Sequence, residues 1–172
     1  FYGDTILIRR RFKIPDHFPI VLYVGRLDID KNLDVLVQSM PLILKKINCH
    51  FVVLGEGKEK TRLEDLIHHL GLQKNVTLIN FIPHDDKVLP KIYQMSAVFV
   101  NPCPAETQSI VVLESLATGL PVVLANAGAL PELAEEGING FLFKSDDEKD
   151  LAKKIVKILQ NKILAKRFGQ KS

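Results

Sequence analysis

Residues 99–125 read FVNPCPAETQSIVVLESLATGLPVVLA, and their pattern decides the fold. The β-branched and aromatic start, 97–100, predicts a buried strand that breaks at Pro102 and Pro104. An apolar helix is expected over 109–118, with Gly119 just past its end and Pro121 leading into a second buried strand at 122–124. Glu106 falls in the loop ahead of this helix, and Glu114 is the only formal charge inside it. Ile110, Val111, Val112, Leu113, Leu116 and Ala117 surround Glu114, so the helix is expected to be buried and Glu114 to have little access to water. An ionised carboxylate in such a place is costly unless it is paired or hydrogen-bonded.

The helix mouth offers a use for both carboxylates. With Ser109 or Gln108 near the N-cap, the backbone N–H groups of residues 109–111 carry the positive end of the helix dipole, which favours a phosphate. A carboxylate in the loop and another roughly one and a half turns inside the helix would then hold hydroxyl groups on either side of that phosphate. Spacing alone leaves a second reading open, in which one carboxylate is salt-bridged and the other solvated.

Outward from this element, strand and helix alternate along the chain. Strands are expected at 19–24, 51–54, 76–79 and 141–143, and helices at 31–45, 58–70 and 86–95, with Pro41 awkward inside the first. A short helix opens at Pro131 and Glu132, and Ser145 or Asp146 is placed to cap another whose Leu151, Ile155, Ile158 and Leu159 face inward. The expected fold class is α/β, a doubly wound parallel sheet of Rossmann-like type. Residues 1–18 read as a linker or lead-in segment, 19–160 as the ligand-binding domain and 161–172 as a helical tail. Ligands of such sheets bind beyond the carboxyl ends of the strands, so the loops there should converge on one rim.

Composition limits the function classes. A chain of 172 residues with 47% hydrophobic residues suits one well-buried domain, and a formal charge of +3 spread along it argues against a general nucleic-acid surface. Cys49 and Cys103 follow no zinc or redox spacing, so reduced thiols are expected. No apolar run is long enough to span a membrane and no secretory pattern opens the chain. The start at Phe1, without an initiator methionine, leads to the expectation of a domain cut from a longer protein.

Arg26 and Lys31 follow the first strand and reach the same rim as the helix mouth, the first as a planar fork and the second as a mobile point charge. Solvated surface cations are the other reading of this pair. Gly55-Glu56-Gly57 is not a dinucleotide fingerprint, because Lys60 stands where the third glycine belongs, and it is not a P-loop, because Glu59 follows Lys58. His68 and His69 point in different directions on a helix and read as a solvated face, and His84-Asp85-Asp86 reads as a turn and helix cap, with ligand contact at the rim as its second reading.

Three segments in order resemble the GT-B glycosyltransferases of the group 1, family 4 type: Gly25-Arg26-Leu27-Asp28-Ile29-Asp30-Lys31-Asn32, Gly55-Glu56-Gly57, and Pro104-Ala105-Glu106 with Glu114 and Ala117-Thr118-Gly119-Leu120-Pro121-Val122-Val123 behind it. The match runs over about residues 19–145. The resemblance implies one half of a two-domain enzyme that transfers a hexosyl group, such as mannose or glucose, from a nucleoside-diphosphate sugar with retention. Arg26, Lys31, Ser109 and Ile110 would bind the donor phosphates, and Gly25, Gly55, Gly57, Ile82 and Glu114 the nucleoside, with Glu114 on the ribose hydroxyls. Glu106 would be the catalytic-site carboxylate on the donor sugar, beside Thr107 and Gln108. These two residues and Ser109 replace the Gly-Phe-Gly common at this place in the family, a change that alters which sugar is accepted.

The resemblance further implies no metal and no other cofactor. The expected partners are the donor, an acceptor of unassigned class and an N-terminal domain, and the expected location is cytoplasmic or at the cytoplasmic face of a membrane. Other readings are a non-catalytic nucleotide-sugar module, a nucleotide-sugar epimerase and a glycogen phosphorylase; the paired-Glu segment speaks against both enzymes. Cys103 lies close enough to Glu106 for its modification to block the site, and no catalytic role is assigned to it.

Overall fold

The computed structural model describes residues 2–172, with side chains from Thr5 onward. Six strands form one sheet: β1 (Ile20–Val24), β2 (His50–Leu54), β3 (Val76–Ile79), β4 (Val98–Asn101), β5 (Val122–Ala125) and β6 (Gly140–Phe143). Their order is β3-β2-β1-β4-β5-β6, and every neighbouring pair is parallel. Parallel strands need crossover connections and are covered on both faces, which accounts for the unbroken apolar runs. All five residues of β1 and all five of β2 are buried.

Among the described residues seven helices surround the sheet: α1 (Tyr2–Arg11), α2 (Leu33–Leu44), α3 (Lys60–His69), α4 (Val88–Gln94), α5 (Ile110–Ala117), α6 (Glu148–Leu159) and α7 (Lys162–Lys171). Short 3₁₀ turns lie at Ile29–Lys31 and Leu130–Glu132. The doubly wound parallel α/β reading is therefore correct. Among the described residues no helix is long and apolar enough to cross a membrane.

Several boundaries differ from expectation for physical reasons. The helix expected from residue 31 begins at Leu33, because Asn32 adopts a left-handed φ of 53° that ends the preceding 3₁₀ turn. Pro41 is tolerated inside α2, whose Leu36, Val37, Met40 and Ile43 face the core. The cap of α6 is neither Ser145 nor Asp146: Asp147 accepts hydrogen bonds from the backbone N–H groups of Lys149 and Asp150. Nor is Asp86 the cap of α4, whose N-cap position is Lys87; Asp86 lies one residue earlier, in the turn, and accepts from Val88 N at 2.8 Å.

The first and last helices both pack onto the rest of the domain, α1 against α4 and α7 against α6. Within the segment read as a lead-in, α1 buries Ile8, and Arg9 donates to the carbonyls of Pro15 and Phe18; Phe1 lies outside the described residues. In α7, Phe168 is buried edge-on against Phe141 with ring centroids 5.1 Å apart.

Candidate functional site

The strand order reverses between β1 and β4, so the chain leaves their carboxyl ends in opposite directions and opens a crevice between the two loops. On the β1 side the loops after β1 and β2 are fused by backbone contact. Gly25 N donates to Leu54 O at 3.0 Å and Leu27 N to Glu56 O at 2.8 Å. Gly55 has a φ of +148°, and a Cβ on it would lie 1.9 Å from the Gly25 carbonyl oxygen; one on Gly57 would lie 2.2 Å from that of Leu27. Glycine is required at both places because two backbones approach there.

These loops form one wall of a cavity of about 270 Å³. Its lining joins Gly25, Arg26, Gly55 and Glu56 to Phe81, Ile82 and His84 from the loop after β3, and to Val111 of α5. The expected nucleoside residues Gly25, Gly55 and Ile82 therefore meet around one mostly apolar hollow, whereas Gly57 and Glu114 are not part of its lining. His84, read as a turn residue, is also in this wall.

A polar cluster adjoins the cavity. Lys31 Nζ lies 3.2 Å from Glu106 Oε1 and 3.3 Å from Asp30 Oδ2, and it donates to Cys103 Sγ at 3.6 Å. Burial alone would lower the Lys31 pKa, but the Glu106 and Asp30 contacts outweigh it and the ammonium is held above its ordinary value. Arg26 is more open: its guanidinium pairs with Asp28 and Asp30 and its side chain is 67% exposed. The two cations expected on a phosphate thus stand beside acids, one on the rim and one inside it.

The Glu106 loop is pinned from beneath. Ala129 N donates to Glu106 O at 2.9 Å, and at Gly128, with φ +55°, a Cβ would come within 2.5 Å of that same oxygen. Asn101, buried at the end of β4, donates to Ser109 Oγ at 3.2 Å and accepts from Cys103 N at 3.1 Å. Its amide also stands 3.5 Å from Glu106 Oε1. Thr107 and Gln108 are exposed and make no hydrogen bond or ion pair among the described residues. Ser109 is the N-cap residue of α5 and its side chain makes no capping bond, which leaves the backbone N–H groups of the first turn facing the crevice.

Two expectations are corrected here. α5 is not wrapped in core: only Val112 and Ser115 are buried, whereas Ile110 is 61% and Leu113 44% exposed. Glu114 accordingly keeps a side-chain exposure of 29%. A helix at the carboxyl edge of a sheet packs only one side against the strands, and apolar composition does not reveal which side. Cys103 is fully buried, its thiol donating to Asp30 O at 3.2 Å and pushed up in pKa by burial, so it is not an accessible point of modification.

Glu114 is held as a hydrogen-bonded carboxylate. Tyr93 donates its hydroxyl to Oε2 at 2.8 Å, and His84 Nδ1 stands 3.1 Å from Oε1. Burial, reinforced by the carboxylate, pushes the Tyr93 phenol well above its ordinary pKa, so it stays a donor. Sequence reasoning missed Tyr93, Asn101 and Asp30; the polar residue ending the otherwise apolar run of β4 was the one available signal. Among the described residues no cluster of three or more His, Cys, Asp or Glu is arranged to hold a metal ion.

Residues 4–172 match the family model described as Glycosyl transferases group 1. An uncharacterised glycosyltransferase of Methanocaldococcus jannaschii is 35% identical over 139 residues, spanning 81% of this chain and 35% of the relative. Sucrose-phosphate synthase from Thermosynechococcus elongatus superposes with a TM-score of 0.85 at 29% identity, over 95% of this chain and 42% of that one. A Staphylococcus aureus TarM variant, solved with fondaparinux, α-GlcNAc-glycerol and UDP, superposes with a TM-score of 0.81 at 28% identity, over 91% of this chain and 32% of that one. The chain spans less than half the length of each of these proteins. With its fold, its family match and its relatives in agreement, the chain belongs to the group 1 glycosyl transferases and has the architecture of a C-terminal GT-B domain.

Proposed function

We propose that this chain is the donor-binding half of a retaining enzyme that transfers a hexosyl group from a nucleoside-diphosphate sugar. A separate N-terminal domain supplies the acceptor site across the crevice. The observation that carries this reading is the meeting of Lys31 and Glu106 from opposite sides of the strand reversal, beside both an apolar cavity and the mouth of α5. In support, the TarM neighbour was solved with UDP, and the relatives are more than twice as long as this chain.

In this reading the base enters the cavity against Ile82 and its backbone, and the ribose hydroxyls meet Glu114. The diphosphate lies over Gly25 and Arg26 toward Lys31 and the α5 N–H groups at Ser109 and Ile110. The donor sugar faces Glu106, Thr107 and Gln108. As the glycosidic bond breaks, negative charge grows on the departing diphosphate; the two cations and the helix mouth stabilise it, with no metal needed for that role. The enzyme works at a cytoplasmic location.

Ligand-observed NMR of the chain with UDP, GDP, ADP and their hexose conjugates tests the donor site. Selective binding of one nucleotide, weakened by Glu114→Ala and by Arg26→Ala, is expected. Equal binding to the variants would refute the assignment. The chain alone is expected to bind weakly and to transfer nothing, and transfer by it alone would contradict the two-domain reading.

A further inference from the structure

The two oxygens of Glu114 are held by donors of opposite character. Tyr93 is buried at 2% exposure, with its ring packed on Phe99 of β4 at a centroid distance of 6.0 Å. Its hydroxyl is therefore anchored to the sheet, and it reaches Oε2 at 2.8 Å. The donor on Oε1 is His84, whose side chain is 63% exposed and belongs to a loop. A carboxylate has about four acceptor sites, so one fixed donor leaves the rest of its capacity pointing away from that donor.

We propose that Tyr93 is a positioning residue: its buried hydroxyl locks Glu114 Oε2 so that Oε1 alone is presented to the ligand, and the site thereby selects ribose over deoxyribose. This inference rests on the donor-site reading above. His84 is a placeholder in it. A ligand hydroxyl takes over Oε1 when the exposed imidazole swings aside, whereas nothing in the cavity can displace the buried phenol. A ligand without the hydroxyl makes no bond to Oε1, which stays with His84, and so forgoes one hydrogen bond to a charged group. Lacking Tyr93, the carboxylate can rotate about its side-chain bonds, and its preference is lost while its charge remains.

The test is a set of dissociation constants for UDP, GDP and ADP and for their 2′-deoxy and 3′-deoxy counterparts, measured on the native protein, Tyr93→Phe and His84→Ala. The native protein is expected to prefer its ribonucleotide over at least one deoxy counterpart by roughly tenfold to a hundredfold, the size of one lost hydrogen bond to a charged group. Tyr93→Phe keeps the ring and its packing; it should bind the deoxy form as the native protein does and show little preference between the two. His84→Ala alters the cavity wall and so the affinity for both forms, but should keep the ratio between them. Full preference in Tyr93→Phe, or equal loss in His84→Ala, overturns the role of Tyr93. Native nucleotide binding without any ribose preference also overturns it while leaving the donor site standing, and absence of all nucleotide binding overturns both.

Discussion

Lys31 and Glu106 stand 75 positions apart in sequence and 3.2 Å apart in space, each side chain only 14% exposed. The pair joins the loop after β1 to the loop after β4 at the place where the two halves of the sheet diverge. Removing one partner therefore affects both the counter-charge for a departing phosphate and the position of the carboxylate. In an assay of the complete enzyme, Lys31→Ala is expected to lower transfer by about 10²–10³-fold, the usual cost of losing one group that stabilises developing charge. Thermal unfolding should shift as well, by an amount between about 1 kcal/mol, for an exposed pair, and about 3–5 kcal/mol, for breaking a buried one, since both side chains are only 14% exposed. Near-native turnover would show that Lys31 only tethers Glu106.

Gly55→Ala tests the fused loops. The new methyl group would overlap the Gly25 carbonyl oxygen at 1.9 Å, and the backbone there has a φ of +148°. Separation of the loops is expected, with roughly 2–4 kcal/mol lost in denaturant titrations and a parallel loss of nucleotide binding. Gly71→Ala is the control: its Cβ would meet nothing within 4 Å, although its φ of +68° carries the ordinary left-handed cost.

His50 makes stability depend on pH. It is buried in β2, with Nε2 2.8 Å from Thr77 Oγ1 and Nδ1 without a partner among the described residues, and burial followed by the charge of Arg9 lowers its pKa to about 4. The unfolded chain takes up its proton near pH 6.5, where the folded chain does not. Stability contributed by neutral His50 is thus intact above about pH 6.5 and declines as pH falls toward 4, by roughly 3 kcal/mol in total. Denaturant titrations of His50→Gln between pH 7 and 4.5 should show a correspondingly shallower decline. An identical decline in both proteins would mean that His50 charges freely in the fold.

Asn101 ties the β4 turn together through Ser109 and Cys103. Asn101→Ala leaves the Cys103 amide without its acceptor and Ser109 without its donor, which is expected to cost about 2–3 kcal/mol. Because both partners flank Glu106, donor affinity should fall with stability. Asn101→Asp retains the acceptor for Cys103 and adds a charge beside Glu106, so it should damage binding more than folding. Affinity unchanged in both variants would separate the turn from the site.

The legible parts of the sequence were those that depend on local pattern. The apolar runs at 19–24 and 51–54 announce parallel strands, and Gly25, Gly55, Arg26 and Lys31 announce a rim, because their backbone and charge requirements are visible residue by residue. Asn101 and Tyr93 were hidden for the opposite reason. A buried asparagine is legible only once its three partners are assembled, and a tyrosine on a short helix reads as core until the carboxylate opposite its hydroxyl is known. The exposure of Ile110 and Leu113 could not be inferred either, since composition reports how apolar a helix is and says nothing of how much of it finds a partner.

The central position of β1, with β2 on one flank and β4 on the other, also sets when a binding site can exist during synthesis. A ribosome delivering the chain from its N-terminus releases Arg26 and Lys31 long before Glu106 and the first turn of α5. In that interval the growing half-sheet shows its cations without the carboxylate that later confines them. Only the arrival of β4 and α5 completes the pocket, so nucleotide binding by a nascent or clipped chain would report that the second half has docked.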